Sequence, residues 1–166
     1  MTQFALDDIQ HLHESVQVEF KLAAGRDGQG QLPEDMWESY SAFANTLGGE
    51  IILGVREAAG QFSIEGIANP LPMLEEIWHI LADSSRISCN VLSPTDVQII
   101  ELAGKKLIRL HVPEAKAWQK PVFLGKDPYS GTYFRVDSSD MRASRRQVSQ
   151  LLRKQRRLCG SAENEI

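Results

Sequence analysis

The chain has 166 residues, 42% hydrophobic and 24% charged, with a net charge of −4; this fits one globular domain and excludes a disordered, fibrous or collagen-like chain. Its two cysteines, Cys89 and Cys159, lie far apart with no CxxC pair, which speaks against a disulfide framework and against a cysteine zinc site. No apolar run approaches bilayer length, and Asp7 and Asp8 stand where a secretory leader is apolar, so the chain reads as cytoplasmic with no membrane partner.

Residues 1–13 read as an N-terminal extension, irregular or with a short helix. Residues 16–21 alternate, with Val16, Val18 and Phe20 on one face, and predict a first strand. Gly25, Gly28 and Gly30 make 24–31 a loop. Pro33 opens a helix, with Glu34 and Asp35 in its first turn, Trp37, Tyr40, Ala44 and Leu47 as an apolar stripe, and Gly48 as a left-handed cap. Residues 50–55 are almost continuously apolar, as in a central strand covered on both faces. A weaker strand follows at 62–67, and Pro72 opens a second helix with Leu74, Ile77, Trp78 and Leu81 at core spacing. Residues 97–102 and 107–112 predict a hairpin around Ala103-Gly104-Lys105-Lys106. After a loop with Trp118, Lys120 and Pro121, residues 132–136 read as a strand. Ser144 and Gln147 then form the capping box of a last helix docked by Val148, Leu151 and Leu152. The order predicts an α/β (α+β) fold: a single domain over 14–157, a mixed β-sheet with helices packed on it, and a flexible tail over 158–166.

The charge is unevenly spread. Arg142, Arg145, Arg146, Arg153, Lys154, Arg156 and Arg157 fall in a window without an acid, leaving eleven cations against twenty-two acids elsewhere, a net of −11. Such asymmetry points either to a phosphate-binding face or to a solvated helix. Asn45-Thr46-Leu47-Gly48-Gly49 runs from helix into strand, the reverse of a phosphate-cradling loop, and no Lys-Ser or Lys-Thr follows Gly54; it is not a Walker loop, and neither ATP nor another cofactor is expected.

Two segments carry a pattern. Glu14 and Glu19-Phe20-Lys21 are separated by four residues, and Ala42-Phe43-Ala44-Asn45-Thr46-Leu47-Gly48-Gly49 runs into a strand ending Gly54-Val55. With Ile64-Glu65-Gly66-Ile67, Lys120-Pro121-Val122 and Thr132-Tyr133-Phe134-Arg135, this resembles the Schlafen-type Alba-like domain, also called the divergent AAA domain, over roughly residues 14–155. The resemblance implies a nucleic-acid-binding, DNA-binding module, which in bacteria often opens longer transcriptional-regulator-like proteins. Lys21, Lys120, Arg135, Arg142, Arg145, Arg146 and Arg153 are the candidate phosphate contacts, to DNA or RNA, with Trp118 and Tyr133 as aromatics for stacking or core packing.

The resemblance also implies a rival. Schlafen proteins that cleave structured RNA join two glutamates at this spacing to a later aspartate. Glu14 and Glu19 match that pair, and the third position falls at Arg56 or Glu57. A metal-dependent endoribonuclease would use Glu14, Glu19 and Glu57 to hold Mg²⁺ or Mn²⁺. The second rival is a protein-interaction module or homodimer joined through the last helix.

Overall fold

The computed structural model describes residues 2–3, 17–25, 28 and 30–164, with side chains for all of these except 2, 3 and 161–164. Its strands are β1 (Thr2–Gln3), β2 (Val18–Lys21), β3 (Gly49–Leu53), β4 (Val55–Ala58), β5 (Gln61–Ile64), β6 (Val97–Leu102), β7 (Lys105–Val112), β8 (Tyr133–Val136) and β9 (Ser139–Arg142). The helices are α1 (Met36–Asn45), α2 (Pro70–Ala82), α3 (Pro128–Gly131) and α4 (Arg145–Asn164). A five-stranded sheet has the order β1-β6-β7-β3-β2, and β4–β5 and β8–β9 are separate hairpins. The sheet is mixed: β2 runs parallel to β3 and β1 to β6, while β7 is antiparallel to both β3 and β6. The fold is thus the expected α+β domain.

The main core lies under α1 and α2. Met36, Tyr40 and Phe43 of α1 and Ile77 of α2 meet Ile51, Leu53, Ile108 and Leu110 of the sheet, all fully buried. Tyr40 is tied by its hydroxyl, which donates to Cys89 O at 2.7 Å and accepts from Val91 N at 2.9 Å; burial pushes that hydroxyl's pKa well above its ordinary value. A second, smaller core on Phe20, Ile52, Val55, Ile100, Leu102 and Leu107 is closed by Phe62 and Ile64 of the β4–β5 hairpin.

Several boundaries move for identifiable reasons. Residues 50–55 are not one central strand. At Gly54 the backbone turns to φ +103, and a Cβ there would lie 2.8 Å from Leu107 Cδ2. The chain leaves the sheet at that point, and Val55 opens a hairpin; β7, not β3, is central. Pro33 sits one turn ahead of α1, which begins at Met36, and Leu47 lies past its end, 80% exposed. Pro70 rather than Pro72 opens α2. The β6–β7 turn is the pair Ala103-Gly104, with φ +52 and +74, and Lys105 and Lys106 belong to the strand; two left-handed residues match the right-handed twist of a tight hairpin. Thr2–Gln3 pairs with Ile100 and Glu101, a strand not expected from the N-terminal extension. β9 pairs with β8 across a turn containing Asp137 at φ +54. The capping box forms as read: Gln147 Oε1 accepts from Ser144 N at 2.8 Å and Ser144 Oγ from Gln147 N at 3.1 Å. The helix it starts continues to Asn164, through part of the expected tail. Among the described residues no helix is long and apolar enough to cross a membrane.

Gly48 caps α1 with φ +77, its N–H donating to Phe43 O at 2.8 Å, and a Cβ would come 2.7 Å from Val112 O. Gly104 has nearly the same φ, +74, with nothing near its Cβ position. Gly48→Ala should therefore cost about 2–4 kcal/mol and Gly104→Ala only about 1 kcal/mol, because the left-handed penalty is shared and the backbone clash is not. Urea unfolding of both variants checks this; equal losses would contradict it.

Candidate nucleic-acid interface

The interface is assembled from the end of α1 outward. Asn45 is buried, and its Nδ2 donates to Val122 O at 2.8 Å and Tyr133 O at 3.0 Å, while its Oδ1 accepts from Val122 N at 2.8 Å. One turn earlier, Ser41 Oγ donates to Val122 O at 2.7 Å and accepts from Tyr133 N at 3.1 Å. Thr46 Oγ1 accepts from Arg135 N at 2.9 Å. The Asn-Thr-Leu-Gly-Gly segment and Ser41 thus clamp the extended segment that follows the cis Lys120–Pro121 bond and the β8 strand onto α1. Tyr133 is buried by this clamp, which assigns it to packing.

Three candidate cations are held inside the domain. The Arg135 side chain is 4% exposed; its Nη2 lies 2.9 Å from Glu19 and its Nη1 2.7 Å from Asp140, and its guanidinium sits 4.8 Å from the centroid of the Phe43 ring. Asp140 also accepts from Ser39 Oγ at 2.5 Å. Lys21 reaches Asp35 at 2.9 Å and Glu19 at 3.6 Å. Burial alone would lower the Lys21 pKa, but the Asp35 hydrogen bond and the charges of Glu19, Asp35 and Asp140 outweigh it and raise the value. Lys120 is half-buried and pairs with Glu114 at 2.8 Å.

The candidates near and on α4 differ. Arg142, Arg145, Arg146 and Arg153 are exposed, as are Lys154, Arg156 and Arg157; among the described residues none of the seven forms an ion pair, while Arg142 donates to Tyr133 Oη at 3.5 Å and is held charged by that bond and by Glu38. Two rest on rings: Arg145 lies 4.3 Å from the Tyr129 centroid and Arg142 5.9 Å from that of Tyr133. Val148 is buried, Leu151 and Leu152 half-buried, and Ser149 Oγ and Tyr129 Oη are 3.0 Å apart, so one face of α4 docks. Gln150, Arg153, Arg156 and Arg157 border one open depression on the other side. Trp118 is 55% exposed beside the docked face, its carbonyl accepting from Gln155 Nε2 at 3.1 Å.

The carboxylates do not converge among the described residues. Glu14 lies outside them. Glu19 is taken up by Arg135 and Lys21, and Glu57 is exposed on β4, in a different sheet from Glu19. Among the described residues no three His, Cys, Asp or Glu side chains group to hold a metal. A cluster that the sequence reading missed is Glu50, 7% exposed, which accepts from Arg109 Nε and Nη2, both at 3.0 Å, and lies 2.8 Å from His111 Nδ1. The only signal for it is the register that sets Glu50 opposite His111 and Ile52 opposite Arg109; His111 shows no partner in the sequence.

Fold and clamp define an α+β domain in which an Asn-Thr-x-Gly-Gly helix end organises the strands. Residues 14–144 match the family described as Schlafen, AlbA_2, and the chain belongs to that family. It is similar to the N-terminal domain of a RecG-related protein of Nitrosomonas europaea, provisionally named an ATP-dependent DNA helicase, with 28% identity and a TM-score of 0.57 over 83% of this chain and 90% of that one. It also shares its fold with the DIP2311 protein of Corynebacterium diphtheriae, at 22% identity and a TM-score of 0.54. That match takes in 84% of this chain but only 24% of the other. No curated protein matches. The family match stops at Ser144, so α4 lies beyond it.

Removing Arg135 takes its ion-pair partner from Asp140 and leaves Glu19 with Lys21 at 3.6 Å. Arg135→Met should destabilise the domain by about 3 kcal/mol, whereas Arg153→Ala should stay within about 0.5 kcal/mol. Thermal unfolding of both variants measures the difference; comparable effects would contradict the division into structural and free cations.

Proposed function

We propose that this chain binds nucleic acid, with the exposed cations of Arg142 and α4 contacting backbone phosphates. The observation that carries the reading is that the six cations of α4 form no ion pair among the described residues, while Lys21, Lys120 and Arg135 are all paired. An unpaired cation is free to displace the counterions of a phosphate, which is where non-specific affinity arises. Membership of the Schlafen, AlbA_2 family and the helicase-related name of a structural neighbour support the same class of partner. The net charge of −4 does not oppose it, since binding depends on the local face. Lys21 and Arg135, read from sequence as phosphate contacts, hold the domain together in this proposal. Glu19 serves as their counter-charge.

Fluorescence polarisation with labelled single-stranded DNA, duplex DNA and tRNA tests this. Affinity should fall on the order of 10³-fold between about 50 and 200 mM salt. Replacing Arg145, Lys154 and Arg156 with Ala should lower the slope of log affinity against log salt by roughly 0.9 per lost contact on duplex DNA. No binding at low salt, or binding indifferent to salt, would overturn the proposal.

A further inference from the structure

Resting on the nucleic-acid reading, we infer that α4 is a groove-entering helix and that its ligand is duplex DNA, contacted from inside the major groove. The argument starts from how the charges are placed around the helix. At about 3.6 residues per turn, Arg146, Gln150, Arg153 and Arg157 fall on one stripe of α4. Arg145 and Arg156 lie on one flank of that stripe and Lys154 on the other. The docked residues Val148, Leu151, Leu152 and Gln155 occupy the opposite side, and Ser149, bonded to Tyr129, lies between Arg145 and the stripe. Cations therefore cover roughly half of the helix circumference.

That spread selects among ligands. A single strand presents one row of phosphates and needs only a narrow basic stripe. A helix lying in a groove has phosphates on both walls and meets them with both flanks. An α-helix with side chains is about 10–12 Å across, and the major groove of B-DNA is about 12 Å wide. The major groove of duplex RNA is deep and narrow and does not admit it. The middle of the stripe would face the base edges, and it carries the side chains suited to reading them. Gln150 can bond adenine N6 and N7, and Arg153 can bond guanine O6 and N7, each through two hydrogen bonds. The rest of the chain, at −11, repels the DNA backbone. This favours contact limited to one helix that enters the groove over contact spread across the domain.

The test compares the full chain on a blunt DNA duplex, on each of its single strands, and on the duplex RNA of the same sequence, at one salt concentration. The DNA duplex should bind tighter than either alternative by on the order of tenfold or more. Methylation of guanine N7, an atom exposed in the major groove, should weaken the duplex complex. Gln150→Ala should cost roughly five- to tenfold while leaving the salt slope unchanged, because it removes a base contact and no phosphate contact. Arg56→Ala, on the β4–β5 hairpin, serves as the control and should change nothing. The groove assignment falls if duplex RNA or single strands bind as tightly as duplex DNA, or if N7 methylation has no effect, although the nucleic-acid reading would then survive. Absence of binding to all of these at low salt would overturn both.

Discussion

The side-chain amide of Asn45 holds this structure together. Buried at the end of α1, it satisfies both the carbonyl and the N–H of Val122 and the carbonyl of Tyr133, groups 77 and 88 residues away in the chain. A buried backbone group without a partner costs about 1–3 kcal/mol, so an apolar residue here would lose several such bonds at once. The clamp does more than stabilise. By fixing Tyr133 it sets the start of β8, and through β9 and the Ala143 N–H, which donates to Thr132 O at 2.9 Å, it sets where α4 leaves the domain. The geometry of the basic surface therefore depends on an amide that never touches a ligand.

The cations divide by environment. Arg135 sits between Glu19 and Asp140 and over the Phe43 ring, a setting in which a guanidinium closes a core against carboxylates that would otherwise be buried without a counter-charge. Lys21 joins the same group through Glu19 and Asp35. The arginines of α4 have no such obligations among the described residues and are spaced along an exposed helix. The two populations have the same chemistry and opposite roles. Only three-dimensional placement tells them apart.

What was legible in the sequence was local. The Ser144–Gln147 capping box, the left-handed Gly48 cap and the β6–β7 hairpin each rest on residues a few positions apart, and each appears where local chemistry places it. Features that depend on distant partners were not legible. The Gly54 break falls inside a run that looks like one continuous strand, at a backbone of φ +103 where Leu107 leaves no room for a Cβ. The Glu50–Arg109–His111 cluster exists because β3 and β7 pair in one register. Charge composition pointed to the C-terminal basic segment, but it could not show that Lys21, Lys120 and Arg135 are already paired.

The most direct test of this division is a ¹H–¹⁵N NMR titration of the full chain with a short DNA duplex. Shifts should be largest from Arg142 at the end of β9 through Gly160 on α4, while the amides of Asn45, Val122 and Arg135 and the β2 strand stay in place. Large shifts at Lys21, Arg135 and Lys120 with an unchanged α4 would contradict the account, and would mean that the paired cations open to a ligand and the unpaired ones do not meet it.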